Sequence, residues 1–221
     1  MSTDKLLEKF QSSDESSRDA FADFCLERID SLINSVANNS NAKIVLANYP
    51  EFDDTVFGNY GSKVSGNFLY QLRRINLGLM ERAQSNPALF ILDVCAIQSR
   101  LGHKVIKDPK LYINASMSYG MDAIPVLAKN FTDIVFSIQG KLTKCLILDL
   151  DNTLWGGVIG DDGMEGIQLG ALGIGSAFTE LQRWILQLKN RGIILAVCSK
   201  NTESIAREPF ESHPRYAVTA R

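Results

Sequence analysis

The apolar positions after residue 140 form two short continuous runs with a helical pattern between them. The first run, Leu146–Leu148, is followed directly by the carboxylate of Asp149, and the second run covers Ile193–Cys198. Between the two runs, apolar residues recur at helical spacing: Phe178, Leu181, Ile185 and Leu188. Gly192 follows them, and a glycine is typical of the end of a helix. The segment Trp155–Gly170 contains Asp161-Asp162-Gly163, and an Asp-Gly pair predicts a hairpin. The order strand, hairpin, helix, strand predicts a right-handed βαβ unit of a parallel sheet.

The first 140 residues also alternate helix and strand patterns. Strands are predicted over Lys43–Ala47 and over Leu89–Val94, with a loop containing Pro50, Gly58 and Gly61 after the first strand. Helices are predicted from three apolar faces, Phe21 to Val36 before Asn38-Asn39, Leu69 to Leu79 before Pro87, and Ile124 to Ile138. We therefore expect an α/β protein with two modules, residues 1–140 and residues 141–221.

Charge and composition exclude several function classes. The 221 residues carry a net charge of −2, so the chain lacks the basic footprint of a nucleic-acid-binding protein. No apolar run approaches the ~20 residues that a membrane span needs, and Met1–Lys5 lacks the apolar core of a signal peptide.

The widely spaced Cys25, Cys95, Cys145 and Cys198 lie in apolar segments, which predicts buried free thiols in a reducing cytoplasm. His103 and His213 are isolated, and neither is assigned a role.

Two carboxylates directly follow the first run of the second module. Asp149 and Asp151 are separated by one residue, and Asn152 and Thr153 then break the apolar pattern. A turn after Asp149 would place the two carboxylates in different orientations, so that one attacks phosphorus while the other shuttles a proton. An acidic loop without chemistry is the simpler interpretation. Ligands of open α/β sheets bind at the carboxyl ends of strands, which favours the functional interpretation.

The segment from Asp149 to Thr153 matches the DxDxT signature, so the chain resembles the haloacid dehalogenase (HAD) superfamily of phosphotransferases. The continuation from Leu154 to Gly170 is similar to the FkbH-like branch, subfamily IIIC. The resemblance covers about Lys43 to Phe210, and it implies a HAD-like Rossmannoid domain with a parallel sheet. It also implies an N-terminal module similar to an SGNH-hydrolase α/β domain. That module has neither a Gly-Asp-Ser block nor an Asp-x-x-His pair, so we expect a scaffold or recognition domain.

The resemblance assigns roles to residues of both strand ends. Asp149 would be the nucleophile that forms an aspartyl-phosphate, and Asp151 the general acid/base. Mg²⁺ would be bound by the Asp149 carboxylate and the Asp151 main-chain carbonyl, since this cation prefers oxygen ligands. Thr153, Ser199 and Asn201 would contact phosphate. The hairpin would be a flap over the site, with Trp155 either at its entrance or as a packing anchor.

The FkbH-like resemblance implies release of phosphate from a three-carbon metabolite such as 1,3-bisphosphoglycerate. Its glyceryl group would be loaded onto an acyl carrier protein, as in polyketide biosynthesis. The alternatives are a phosphatase of small phosphorylated metabolites and a non-catalytic binding module; the order of the acidic residues disfavours a receiver-like signalling domain. The superfamily's phosphate-binding lysine and second acidic ligand are not found after Ser199, and Lys200 is not assigned as that lysine. We therefore expect a chain truncated at its C-terminus, and an SGNH-like module incomplete at its start.

Overall fold

A computed structural model describes residues 2–213, and the tail beyond His213 lies outside the described residues. The chain divides into two compact units, residues 1–140 and residues 141–221. Both are mixed α/β and rich in helix, with short parallel sheets. No helix in the described part of the chain has the length and apolar character needed to cross a membrane.

The first unit combines a two-stranded parallel sheet with seven α-helices among its described residues. Strand β1, Ile44–Ala47, pairs with β2, Leu89–Leu92, with Leu46 opposite Ile91. The helices are α1 (Thr3–Gln11), α2 (Phe21–Asn39), α3 (Phe68–Ser85), α4 (Val94–Leu101), α5 (His103–Ile106), α6 (Pro109–Ala115) and α7 (Ile124–Ile138). Short 3₁₀ turns cover Glu15–Ala20, Gly58–Lys63 and Met121–Ala123.

Burial of aromatic and aliphatic side chains between α1, α2 and α3 stabilises the first unit. The Phe10 ring makes an edge-on contact with the Phe21 ring, with centroids 5.2 Å apart, and it also contacts Phe68. Leu46 and Ile91 of the sheet pack against this cluster. Each such side chain contributes about 1.5–3 kcal/mol when it is fully buried. Gln71 is fully buried, and it receives a hydrogen bond from the Ala22 N–H at 2.8 Å. The amide therefore joins α3 to the start of α2.

The sequence located the long elements of the first unit correctly. The three predicted helices correspond to α2, α3 and α7, and the predicted strands to β1 and β2. Strand β2 ends at Leu92, because the Asp93 carboxylate accepts a hydrogen bond from the Ala96 N–H and begins α4 at Val94. The predicted strand therefore extended two residues too far.

The second unit has one βαβ arrangement around a separate core. Its elements are β3 (Cys145–Leu148), α8 (Ile159–Gly166), α9 (Ile174–Asn190), β4 (Ile194–Val197) and α10 (Glu203–Ser212). Strands β3 and β4 pair in parallel, with Leu148 opposite Val197. The core contains the buried Leu150, Leu154, Trp155, Ile159, Ile167 and Ile185. Gly192 adopts φ +93° after α9, which confirms the predicted end of that helix.

The predicted hairpin between Trp155 and Gly170 was wrong. Two hydrogen bonds join Gly156 to Gln168, but helix α8 occupies most of the segment between them. The helix forms because the Asp162 carboxylate accepts a hydrogen bond from the Val158 N–H at 2.7 Å, which satisfies a donor at the helix start. Gly163 has φ +64°, and it kinks this helix instead of turning a hairpin.

The prediction of four buried thiols was correct only for Cys25. Cys95 is half-buried, while Cys145 and Cys198 are exposed. Burial raises the pKa of the Cys25 thiol, which keeps it protonated. Cys145 lies on the uncovered face of the short sheet, where Ile147 is also 69% exposed. An apolar strand therefore did not guarantee burial.

We expect Asp30→Asn to lower the stability of the first unit near neutral pH. Arg82 of α3 donates to Asp30 of α2 at 2.5 and 2.6 Å, and this hydrogen-bonded pair lowers the pKa of the Asp30 carboxyl. Because both side chains are partly exposed, the loss is about 0.5–1 kcal/mol at pH 7. Because the pKa of Asp30 is lowered in the folded state, its contribution to stability is fully present above the unfolded-state pKa of about 3.9. This contribution is lost as the pH falls through the folded-state pKa.

Urea unfolding at pH 7, 4 and 3 measures this difference between the wild type and the variant. The difference is expected to shrink below about pH 4. Asp133→Asn, which removes the more exposed pair with Lys129, is the matched control and is expected to have a smaller effect. A difference that is the same at all three pH values would contradict the assignment.

Candidate active site

The parallel pairing of β3 with β4 brings the two polar strand ends to one edge of the sheet. The Cys198 N–H donates to the Leu148 carbonyl at 2.9 Å, so the register continues one residue past β4. Asp149 directly follows β3, and Ser199 lies two residues after β4. The predicted strand-end arrangement of these two residues is therefore present.

Asp149 is exposed at the end of its strand. Its Oδ1 accepts a hydrogen bond of 2.9 Å from the N–H of the next residue, Leu150, whose side chain is fully buried. This buried neighbour anchors the backbone while the carboxylate faces solvent. The geometry leaves Asp149 accessible to an incoming molecule.

Asp151 is half-buried and accepts hydrogen bonds from three parts of the second unit. Its Oδ1 accepts from the Trp155 indole Nε1 and from the Ile159 main-chain N–H, both at 3.1 Å. Its Oδ2 accepts from the Asn201 side-chain amide at 2.7 Å. These donors belong to the loop after β3, the start of α8 and the loop after β4. The Asp151 carboxylate therefore has a fixed orientation.

Hydrogen bonds between Asn152 and Gly157 close the loop from Asp151 to Gly157. Asn152 adopts φ +54°, a left-handed conformation that asparagine tolerates better than most residues. Its Oδ1 accepts from the Gly157 N–H at 3.0 Å, and its own N–H donates to the Gly157 carbonyl at 3.2 Å. The Leu150 carbonyl accepts from the N–H groups of Thr153 and Leu154. The chain consequently turns immediately after Asp149, as the sequence predicted.

The three candidate phosphate-binding residues have different surroundings. The Ser199 hydroxyl accepts from the Asn201 N–H at 3.2 Å, which closes the turn after β4. Asn201 directs its amide to Asp151, and Thr153 has no side-chain hydrogen bond to another described residue. Ser199 and Asn201 also line a surface depression with Arg207 and Phe210 of α10. The structure thus joins Asn201 to Asp151.

The sequence did not predict the contact between Trp155 and Asp151; Trp155 was expected either at the entrance of the site or as a packing anchor. The ring is fully buried and makes an edge-on contact with Phe210, with ring centroids 6.1 Å apart. Its N–H reaches a carboxylate four residues earlier. Buried indole N–H groups usually have a hydrogen-bond partner, and this rule was the signal available in the sequence.

The oxygen atoms at the strand ends suit a hard cation. Mg²⁺ is commonly bound by one or two carboxylates and keeps several water ligands, and the exposed Asp149 carboxylate is a donor of the kind that this cation prefers. Within residues 2–213, however, no group of three or more His, Cys, Asp or Glu side chains is placed to hold a metal. The described residues therefore fit a magnesium site that is largely completed by water or substrate.

The fold and the site define an α/β protein with a carboxylate pair at the carboxyl end of a parallel strand. A family model described as "FkbH, N-terminal domain" matches residues 1–136, which is more than half of the chain. The chain belongs to this FkbH family. No curated protein matches the chain.

A solved structure is similar over almost the whole chain. It is the crystal structure of the N-terminal part of the protein BF1531 from Bacteroides fragilis, which contains a phosphatase domain and is complexed with Mg. The sequences are 45% identical, the TM-score is 0.91, and the match covers 99% of this chain and 57% of that chain. The chain therefore spans little more than half the length of this relative.

We expect Asn152→Ala to destabilise the loop that carries Asp151. The substitution places an ordinary residue at a positive φ and removes the hydrogen bond to Gly157, at a combined cost of about 2–3 kcal/mol. Asn152→Gly is the matched control, because glycine tolerates this φ and loses only the side-chain bond, at a cost of about 1 kcal/mol. Urea unfolding measures both values. Equal losses in the two variants would show that φ is not strained at this position.

Proposed function

We propose that the second unit is a HAD-type phosphotransferase domain of subfamily IIIC that works through an aspartyl-phosphate. The family match and the relative with a phosphatase domain support a phosphatase-related role. The observation that carries the proposal is the contrast between the two carboxylates. Asp149 is exposed and lightly bonded, as a nucleophile must be, while Asp151 is fixed by three donors.

The reaction on this site has two steps in which the same two side chains act. An Asp149 oxygen attacks phosphorus, the bond from phosphorus to the leaving oxygen breaks, and Asp151 gives that oxygen its proton. Water then attacks the phosphorus of the aspartyl-phosphate, Asp151 takes a proton from this water, and phosphate and free Asp149 are released. Ser199 and Thr153 would hydrogen-bond the phosphoryl oxygens.

Magnesium would be held by the Asp149 carboxylate and the Asp151 main-chain carbonyl, where it would offset the negative charge of the phosphoryl group. The magnesium in the structure of the relative supports this proposal. The charge of the described site supports it too. The Asp149 carboxylate lies beside an incoming phosphate, and these like charges repel unless a cation lies between them.

The proposed substrate is a phosphorylated three-carbon metabolite, and the proposed acceptor of its glyceryl group is an acyl carrier protein in the cytoplasm. The FkbH family match supports this choice. A simpler phosphatase of small metabolites is the second candidate, favoured by the phosphatase domain of the relative. Phosphate release that does not depend on a carrier protein would select the phosphatase.

Two further proposals concern the N-terminal unit and a non-catalytic chain. The first unit is proposed to be an SGNH-like module that acts as a scaffold. The carboxylate at the end of β2, Asp93, accepts hydrogen bonds from the Ala96 N–H and the Asn48 amide, which favours a structural role for it over a catalytic one. A non-catalytic binding module is the remaining alternative to the two enzyme proposals. Measurable turnover by this chain would exclude it.

We expect Asp149→Asn to abolish turnover of 4-nitrophenyl phosphate, because the amide cannot form the aspartyl-phosphate. Asp151→Asn is expected to retain a burst of 4-nitrophenolate, since this leaving group needs little protonation, but to slow the steady state by at least ~100-fold. Stopped-flow absorbance separates the burst from the steady state. Asp161→Asn, which changes an exposed aspartate of α8, is the control. Undiminished turnover in both site variants would exclude the mechanism.

We also expect turnover to depend on a divalent cation. Treatment with EDTA should remove phosphate release, and added Mg²⁺ should restore it. Ca²⁺ should restore less, because its larger and more flexible coordination shell fits a phosphoryl site poorly. Phosphate release is measured in each case, and full activity in EDTA would contradict the magnesium assignment.

A further inference from the structure

Trp155 combines a packing role with a polar contact to a candidate catalytic group. Its ring lies in the core of the second unit, in contact with Phe210 of α10, while its N–H donates to Asp151 Oδ1. Leucine or phenylalanine would fill a core position without this bond. A buried N–H donor four residues after a carboxylate therefore indicates a requirement beyond packing.

The two oxygens of Asp151 are held in different ways. Oδ1 accepts two hydrogen bonds, from Trp155 Nε1 and from the Ile159 N–H, which use the two lone-pair directions of a carboxylate oxygen. Oδ2 accepts from the Asn201 amide at 2.7 Å, so this oxygen retains one lone pair. Oδ2 is therefore the oxygen of Asp151 that can exchange a proton with a substrate.

We propose that Trp155 and Asn201 are positioning residues, which together orient Asp151 so that Oδ2 faces the reacting atoms. This inference rests on the proposed function of Asp149 and Asp151. It reassigns Asn201, because its amide reaches the acid/base group while the phosphoryl contacts remain with Ser199 and Thr153.

The surroundings of Asn201 restrict its side chain to this role. Its backbone N–H is bonded to the Ser199 hydroxyl, which fixes the turn after β4. Its Oδ1 lies 3.2 Å from the position that a Cβ on Gly160 would occupy, so α8 approaches the amide closely at a glycine. The end of β4 and the start of α8 therefore both set where the amide points.

The contact itself is tested in solution by ¹H–¹⁵N spectra of the indole groups. The chain has two tryptophans, and Trp184→Phe, which changes an exposed residue of α9, assigns the Trp155 signal. We expect Asp151→Ala to shift the Trp155 indole N–H signal upfield and leave the Trp184 signal in place. An unchanged Trp155 signal in folded Asp151→Ala would overturn the proposal.

The positioning role is tested with Trp155→Phe, which keeps an aromatic ring and removes the N–H. We expect kcat for 4-nitrophenyl phosphate to fall about ten- to a hundredfold, the effect of losing a hydrogen bond to a charged group. KM should change less than about twofold, because the bond lies away from the bound phosphate. Asn201→Leu should have the same signature, and Trp184→Phe should match the wild type.

A double-variant cycle separates positioning from loss of structure. If Trp155 acts only through Asp151, Trp155→Phe should not slow phosphoenzyme breakdown further when Asp151 is already Asn. A further slowing as large as in the wild-type background would overturn the positioning role and leave the proposed function intact. Absence of turnover in the wild-type chain would overturn the proposed function and this inference with it. The two failures are therefore distinguishable.

Discussion

The parallel register between β3 and β4 determines the position of every candidate side chain. With Leu148 opposite Val197, the chain turns after Asp149 on one strand and after Ser199 on the other, so Asp151 and Asn201 meet. A slip of one residue would turn the whole strand over and separate them. The alternation of burial opposes such a slip, because Leu146 and Leu148 pack on the core while Ile147 is exposed. One covered face is therefore enough to define the register.

The turn after β3 then converts strand geometry into site geometry. A continued strand would have pointed Asp149 and Asp151 to the same face. Instead, Asn152 at positive φ and its two bonds to Gly157 reverse the chain, and Leu150 fills the core between the carboxylates. The sequence permitted this deduction, since the apolar run, the two aspartates and the breaking Asn-Thr pair are all local features. The parallel strand pairing and the helix before β4 were equally predictable from periodicity.

The features that sequence reasoning did not predict depend on contacts that are specific to three dimensions. An Asp-Gly pair favours a hairpin, but the Asp162 carboxylate reaches back to the Val158 N–H and stabilises a helix start instead. The exposure of Cys145 and Cys198 depends on how the short sheet is covered, which the apolar runs alone do not specify. The bond from Trp155 to Asp151 lies within one loop, but the burial of the Trp155 ring depends on Phe210 of α10, which is distant in sequence.

The different environments of the two aspartates follow from the different demands of the proposed chemistry. A nucleophile must approach phosphorus, and strong hydrogen bonds to its oxygens would have to break during attack; exposed Asp149 accepts one from its own neighbour. An acid/base group works over a short proton-transfer distance, so its orientation must be fixed before the substrate arrives. Asp151 meets this demand with donors from two loops and a helix start. The most restrained carboxylate at the strand ends is thus the one whose proposed role depends most on direction.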